Sequence, residues 1–405
     1  VGITGSIGKT STKEAIYHVL SAKLPVRMTF KNYNNEIGLP LTIIGAPSAG
    51  RSLSRWLSVF CRALAILLWR DKDYPRVLVL EMGVDRPGDM GYLLSIAPAN
   101  IGVMTGVSYS HLEYFGSLNN IKKEKQVLIE RLSSQGLAVL NADNAAALEM
   151  AGLSRARTLT YGLKPGANLQ AQDLSFNYTK GDYELSGLSF KLNYNGSIVP
   201  VQMSEVMSET AVYAALAAAA VATNFRFNLV EIAQRLSDFS LPPGRMNLLP
   251  GIKHSFIIDD SYNSSPEAVL AALKVLSEAK LDAGADKYAV LGDMLEIGHY
   301  SEEGHRLVGA RLAELGGLQL AAVGERARDI VRGAKEAGLD DGQIFYFERA
   351  EEAGRFLQNR IKAGDLVLVK GSQGVRLEKA VKELMAEPDR ASELLVRQGP
   401  EWEGR

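Results

Sequence analysis

Apolar and polar positions along this chain fall into two rhythms. Short continuous apolar runs, at the start of the chain, at Arg76 to Leu80, at Ile101 to Thr105 and at Gly136 to Asn141, each end in a polar or glycine-bearing turn. Between them lie stretches with helical spacing, such as Ala15, Ile16 and Val19 within 11–20. Strands that are apolar on both faces, alternating with helices, predict a parallel sheet covered on both sides. From Thr158 to Met203 the rhythm becomes strict alternation, with Leu185, Leu188, Phe190 and Leu192 before Asn195-Gly196, then Ile198 and Val201. That pattern around an Asn-Gly pair predicts antiparallel hairpins. An alanine-rich helix over 211–222 and another from Leu229 follow. The prolines and glycine of LPPGRMN then mark a hinge. Beyond it, strands are predicted at Ser255–Ile258, Tyr288–Leu291, Leu318–Val323, Gln343–Phe347 and Leu366–Val369, with helices between them.

One helical stretch, 53–69, departs from the alternation. Leu53, Trp56, Leu57, Phe60, Leu64, Leu67 and Leu68 share a face, and Arg55, Arg62 and Arg70 interrupt or end the run. It is too short and too charged to span a bilayer. Such a stripe ordinarily packs on a core, here its own domain or a missing neighbour. The alternative is a helix lying in a membrane surface.

Composition narrows the picture only a little. The 405 residues allow two or three domains, and a net charge of −1 gives no reason to expect nucleic acid. The single cysteine, Cys61, excludes an internal disulfide framework and a cysteine-built metal site, which suits a reducing compartment. The chain begins at Val1, inside what should be a strand, so a preceding segment is expected.

The chemistry is concentrated at the turns. VGITGSIGKTS, residues 1–11, reads as strand, glycine loop and helix start. Gly5, Ser6 and Gly8 would let backbone N–H groups close around a phosphate, Lys9 would neutralise the outer phosphates, and the Thr10 hydroxyl could ligate Mg²⁺. The match to GxxxxGK[ST] is imperfect, because Ile3 stands where the first glycine belongs. Glu81 ends the next apolar strand, on the edge where a parallel sheet binds ligands. His111 follows the strand after that, in the loop VSYSHLEYFGS. Lys122, Lys123 and Lys125 open a helix, which on its own suggests only a solvated face. The fold expected is therefore α/β: a central parallel sheet of the phosphate-loop NTPase kind with a small antiparallel addition over 1–243, then a Rossmann-like domain over 244–405.

Taken together, TGSIGKTSTKE, NNEIGLPLT, EMGVDRPGDM, HLEYFGS, PGRMN, IIDDSYNSSP, VLGDMLEIG and VLVKGS resemble, in this order, the Mur ligases of peptidoglycan synthesis, most of all the MurF type. The resemblance implies an ATP-dependent ligase in the cytoplasm that joins D-alanyl-D-alanine to a UDP-linked muramoyl tripeptide through an acyl phosphate. Lys9, Thr10 and Ser11 would hold the phosphates and one Mg²⁺, with Glu81 and His111 serving the metal. Lys125 would be the family's carbamylated lysine at a second Mg²⁺. Arg245 would reach the phosphates, while Asp260, Tyr262 and Asn263 would contact the ribose and adenine. Asn35, Glu36, Lys370 and Ser372 would face the substrates. Closure at 242–246 would exclude water, and peripheral membrane contact through 53–69 is compatible with this setting. Two departures stand out: Gly106 replaces a loop asparagine, and the family's HNxxN reads Thr210, Ala211 and Ala214 here. The family's N-terminal UDP-binding domain is also missing from the chain. Alternative readings are a Mur-like or folylpolyglutamate-like ligase with another acceptor, and a nucleotide-binding scaffold near the membrane.

Overall fold

A computed structural model describes residues 1–30, 33–69, 71–108, 112–178, 185–204, 206–399 and 402, without the side chains of Leu112, Glu113, Tyr178 and Leu185. The chain divides into two compact units. The first comprises Val1–Asp173, Phe190–Val201 and Glu209–Phe239, and the second Leu174–Ser189, Gln202–Ser208 and Ser240–Arg405.

The first sheet contains β1 (Gly2–Thr4), β2 (Val26–Met28), β3 (Val77–Glu81), β4 (Ile101–Met104), β5 (Leu137–Asn141), β6 (Arg157–Gly162), β7 (Leu169–Tyr178), β8 (Leu185–Tyr194) and β9 (Ser197–Ser204). Their order is β2-β3-β1-β4-β5-β6-β7-β8-β9, and every pairing from β2 to β7 is parallel. β1 lies between β3 and β4, with Ile3 opposite Glu81 and Val103, so the residues that follow these three strands emerge on one edge. Gly2 and Gly102 make room on one face. A Cβ at Gly2 would sit 3.0 Å from Leu128 and one at Gly102 3.2 Å from Ile129. The helix Leu118–Glu130, which carries Lys125, therefore packs close to the sheet.

β6 corrects an expectation. Its alternation predicts a place in the antiparallel hairpins, yet it pairs parallel with β5 and with the start of β7. Alternation identifies the buried face, here Leu159 and Tyr161, and is blind to the direction of the neighbouring strand. The Asn195-Gly196 turn is as expected: both residues have positive φ, 51° and 82°, as a two-residue hairpin connection requires.

The stripe on 53–69 is a second correction, to the expectation that it packs on its own domain. The helix Leu53–Leu68 forms, but Leu53, Leu57, Phe60, Leu64, Leu67 and Leu68 are all exposed, and Val59 is the residue it buries. Among the described residues no helix is long and apolar enough to cross a membrane.

In the second unit β10 (Asn247–Pro250), β11 (Phe256–Asp260), β12 (Lys287–Gly292), β13 (Leu318–Val323), β14 (Ile344–Phe347) and β15 (Leu366–Lys370) form a sheet in the order β10-β11-β15-β12-β13-β14. Only β10 runs antiparallel. The last strand in sequence is thus inserted between the first two parallel ones, and Asp260 and Lys370 become register partners.

Candidate active site

β1 delivers the glycine loop to the helix Lys9–Leu20. Gly5 has φ +147° and Gly8 φ +82°, and a Cβ on Gly5 would lie 2.0 Å from Thr105 Oγ1. Only glycine fits so close a backbone approach. Gly8 has no side chain to cap the first turn, and an uncapped helix N-terminus suits an anion. Lys9 curls back over the loop, its Nζ donating to Gly5 O at 2.8 Å and Ser6 O at 3.5 Å. Thr10 is half-buried and Ser11 buried. Ser6 ties the loop to the strand-end segment beside it: its N–H donates to Gly106 O at 2.8 Å, its hydroxyl donates to Ser108 O at 3.0 Å and accepts from Ser108 N at 2.9 Å.

Glu81 is 3% exposed. Its Oε1 accepts from Asn34 Nδ2 at 3.3 Å, whereas Oε2 is buried with no hydrogen-bond partner among the described residues. A buried, unsatisfied carboxylate oxygen is costly, and a hard cation would satisfy it. Thr29 braces this strand end, its Oγ1 accepting from Glu81 N at 3.1 Å and its carbonyl from the buried Lys13 Nζ at 2.9 Å. Asn34 and Lys13 were not singled out from the sequence. Asn34 lies in the asparagine loop that was noted, but spacing could not say which asparagine points to Glu81. Asn35 instead caps the helix Gly38–Ile44, its Oδ1 accepting from Gly38 N at 2.9 Å. Glu36 is exposed.

Lys125 is 2% exposed. Burial first, and then the Lys9 ammonium, lower its pKa to about 7, with Asp85 and Glu124 pulling it back up. A lysine that is substantially neutral near pH 7 has the free amine that carbamylation requires. The preceding Glu124 fixes the same helix in place. Its two oxygens accept from Gly88 N at 2.8 Å and Met90 N at 2.7 Å, capping the helix Asp89–Ile96. His111 lies outside the described residues. Among those that are described, no group of three or more His, Cys, Asp or Glu is placed to hold a metal.

The NADN turn after β5, by sequence only a strand end, holds the loop that follows β4. Asn141 Nδ2 donates to Thr105 O at 2.9 Å, and Asn144 accepts from Val107 N at 3.2 Å and donates to Val107 O at 3.1 Å. Asn144 also lies 3.5 Å from where a Cβ on Gly106 would stand, so an amide side chain sits beside the position where the family asparagine is missing. The helix Glu209–Asn224 begins next to the phosphate loop, with Thr210 Cγ2 3.4 Å from a Cβ placed on Gly8. Ala211 and Ala214 are buried and offer no hydrogen-bonding side chain there.

In the second unit Lys370 Nζ lies 2.7 Å from Asp260 Oδ2 and donates to Asn263 O at 2.8 Å. Burial outweighs this ammonium and raises the Asp260 pKa. The neighbouring Asp259 is fully buried, and burial pushes it up to about 6. The Arg245 guanidinium stacks on the Tyr262 ring at 4.1 Å. Asn263 is exposed. Ser372 joins three loops: its hydroxyl accepts from Leu295 N at 2.9 Å and donates to Ser264 O at 3.3 Å, and its N–H donates to Asp293 O at 2.9 Å. The structure therefore gathers Gly5, Ser6, Gly8, Lys9, Thr10, Ser11, Glu81 and Lys125 in the first unit. It gathers Arg245 with Tyr262, and Asp260 with Asn263 and Lys370, in the second.

Family models decide what these two arrangements belong to. The Mur ligase middle domain matches residues 3–52 and 64–222, and the Mur ligase, glutamate ligase domain matches 244–373. The chain belongs to the Mur ligase family. As a Mur ligase it is an ATP-dependent ligase. Among curated relatives, the UDP-N-acetylmuramoyl-tripeptide–D-alanyl-D-alanine ligase of Bacillus subtilis is 29% identical over 96% of this chain and 76% of its own length. The protein of the same name from Synechocystis is 30% identical over 96% and 74%. The crystal structure of MurF ligase from Thermotoga maritima in complex with ADP is 28% identical, covers 94% of this chain and 78% of that one, and has a TM-score of 0.74. Mur ligases use ATP and Mg²⁺, and the glycine cradle, Lys9 and the orphaned Glu81 oxygen fit both.

Proposed function

We propose that this Mur ligase adds D-alanyl-D-alanine to a UDP-N-acetylmuramoyl tripeptide, in the cytoplasm, with peripheral membrane contact through 53–69. The observation that carries the reading is Glu81 Oε2, a buried carboxylate oxygen without a partner, on the strand paired with the one that opens into the phosphate loop. The relatives' names supply the substrates. The catalytic domains are taken as 1–243 and 244–405.

When bound, ATP and Mg²⁺ supply the phosphoryl group and the charge neutralisation that make a carboxyl group open to attack by an amine. This chain's residues prepare for them. Gly5, Ser6, Gly8, Lys9, Thr10 and Ser11 form the phosphate cradle, and Thr10, Glu81 and His111 are assigned to the metal. Lys125, once carbamylated, becomes an oxygen donor at a second metal, because carbamylation exchanges an ammonium for a ligand that a hard cation accepts. Arg245, Asp260, Tyr262 and Asn263 are assigned to the nucleotide. Asn35, Glu36, Lys370 and Ser372 are assigned to the substrates.

Phosphate release on adding D-alanyl-D-alanine, ATP and UDP-muramoyl tripeptide tests the proposal. Release is expected. Release with other acceptors alone would transfer the chain to a different acceptor, and no release with any acceptor would leave a nucleotide-binding scaffold.

A further inference from the structure

Two buried cations grip one short segment of the second unit, Asp260 to Asn263. Lys370 takes its two ends, pairing with Asp260 at 2.7 Å and donating to Asn263 O at 2.8 Å. Arg397 takes the middle: its Nη1 donates to Ser261 O at 3.2 Å and its Nη2 to Tyr262 O. The same guanidinium donates to Glu378 Oε2 at 3.0 Å, and the two side chains are 5% and 0% exposed. Glu378 also accepts from Arg376 Nε, so it keeps a cationic partner if Arg397 is replaced. The Trp402 ring lies against both guanidiniums, 5.2 Å from that of Arg376 and 6.0 Å from that of Arg397.

The backbone is bent to aim Arg397 at this segment. Ala391 and Leu395 sit in the core of the second unit, and Arg397 has φ +58°, a left-handed conformation that a bulky residue keeps only where its surroundings hold it. A Cβ on Gly244 would lie 3.1 Å from both Val396 Cγ1 and Tyr262 N, and Tyr262 N donates to Gly244 O at 3.0 Å. Residues 396–397 therefore pack against the turn that carries Arg245. The Tyr262 ring has the Arg245 guanidinium at 4.1 Å and that of Arg397 at 5.5 Å. A carboxylate and two successive carbonyls are three acceptors, which a planar fork of five N–H donors satisfies and a compact ammonium does not. Arg376, Glu378 and Arg397 all lie beyond residue 373, where the family-model match ends.

We propose that Arg397 is a positioning residue of the nucleotide site: it fixes Ser261 and Tyr262 so that the Tyr262 ring, with Arg245 stacked on it, stands ready for ATP. It acts through Tyr262 and not by contact with the nucleotide. The inference rests on the assignment of Arg245, Asp260, Tyr262 and Asn263 to the nucleotide, and adds the residue that holds them.

Calorimetric titration of the whole chain with ATP and Mg²⁺, beside urea unfolding, tests it. Arg397→Met should raise the Kd for ATP roughly tenfold, about the value of one charge-assisted hydrogen bond. Arg397→Lys restores the charge beside Glu378 without the fork, so it should raise the Kd similarly while keeping the chain folded if the methionine variant does not. In ligation, the KM for ATP should rise and kcat at saturating ATP should stay nearly unchanged. Glu378→Gln breaks the same ion pair and should lower the urea midpoint comparably, yet it leaves both carbonyl bonds and should change the Kd by less than about twofold. A loss of ATP affinity in Glu378→Gln equal to that in the Arg397 variants would overturn the proposal, because affinity would then follow stability alone. Tyr262→Leu separates the two readings. A wild-type Kd in that variant would remove the nucleotide assignment and this inference with it, whereas a raised Kd there beside a wild-type Kd in Arg397→Lys would overturn this inference alone.

Discussion

Removing one member of the Asp260–Lys370 pair should cost more stability than removing both. The two side chains end neighbouring parallel strands in register, lie 2.7 Å apart, and are 14% and 3% exposed. Breaking a buried ion pair from one side typically costs about 3–5 kcal/mol, whereas replacing both partners with uncharged groups is often close to neutral. Lys370→Met leaves a carboxylate whose pKa burial already raises. It can escape by taking up a proton, so the lower end, about 3 kcal/mol, is expected. Asp260→Asn leaves a buried ammonium that keeps Asn263 O as an acceptor, and a similar loss is expected. The double variant should lose less than either single one, which makes the coupling at least roughly 3 kcal/mol, the top of the usual range. Urea unfolding of the four proteins measures the cycle, and ATP titration of ligation measures the nucleotide role. Single losses below about 1 kcal/mol that simply add would refute the argument from burial. An unchanged KM for ATP in Asp260→Asn would remove Asp260 from the nucleotide site and leave it a purely structural partner of Lys370.

Gly5→Ala should abolish ATP binding, measured by calorimetry, because the new methyl meets Thr105 Oγ1 at 2.0 Å in a backbone region that L residues rarely adopt. Lys125→Met should abolish ligation without unfolding the chain, since it replaces a buried amine with an apolar side chain of similar length. The ¹³C carbamate signal expected of wild type in labelled bicarbonate should vanish with it, and a persistent signal would move the modification elsewhere. Asp259 holds its proton up to about pH 6 when folded, against 3.8 for the unmodified group. The folded state therefore binds the extra proton, and stability falls as pH rises through that window and then levels off. Relative to Asp259→Asn, wild type should lose roughly 3 kcal/mol between about pH 4 and pH 7, and a pH-independent difference in urea midpoints would refute the assignment.

Local pattern determined a great deal here. Continuous apolar runs located β1, β3, β4, β5 and β11 to β15 to within about two residues, because a strand buried on both faces has no polar positions to blur its ends. The three-residue, half-buried β2 gave no such run. Gly5, Gly8 and Lys9 were legible because the backbone conformation and the charge they provide are properties of residue type. The Asn195-Gly196 turn was legible for the same reason. Tertiary structure decided whatever depends on partners remote in sequence. Nothing local says that β15 slips in beside β11 and brings Lys370 to Asp260, that β6 runs parallel to β5, or that Asn34 rather than Asn35 reaches Glu81. Lys125 read as one of several solvated lysines until Gly2 and Gly102 let its helix settle on the sheet and bury it. The stripe on 53–69 has the periodicity of a packed helix and yet faces solvent. Periodicity records which side chains share a face, while the fold determines what that face meets.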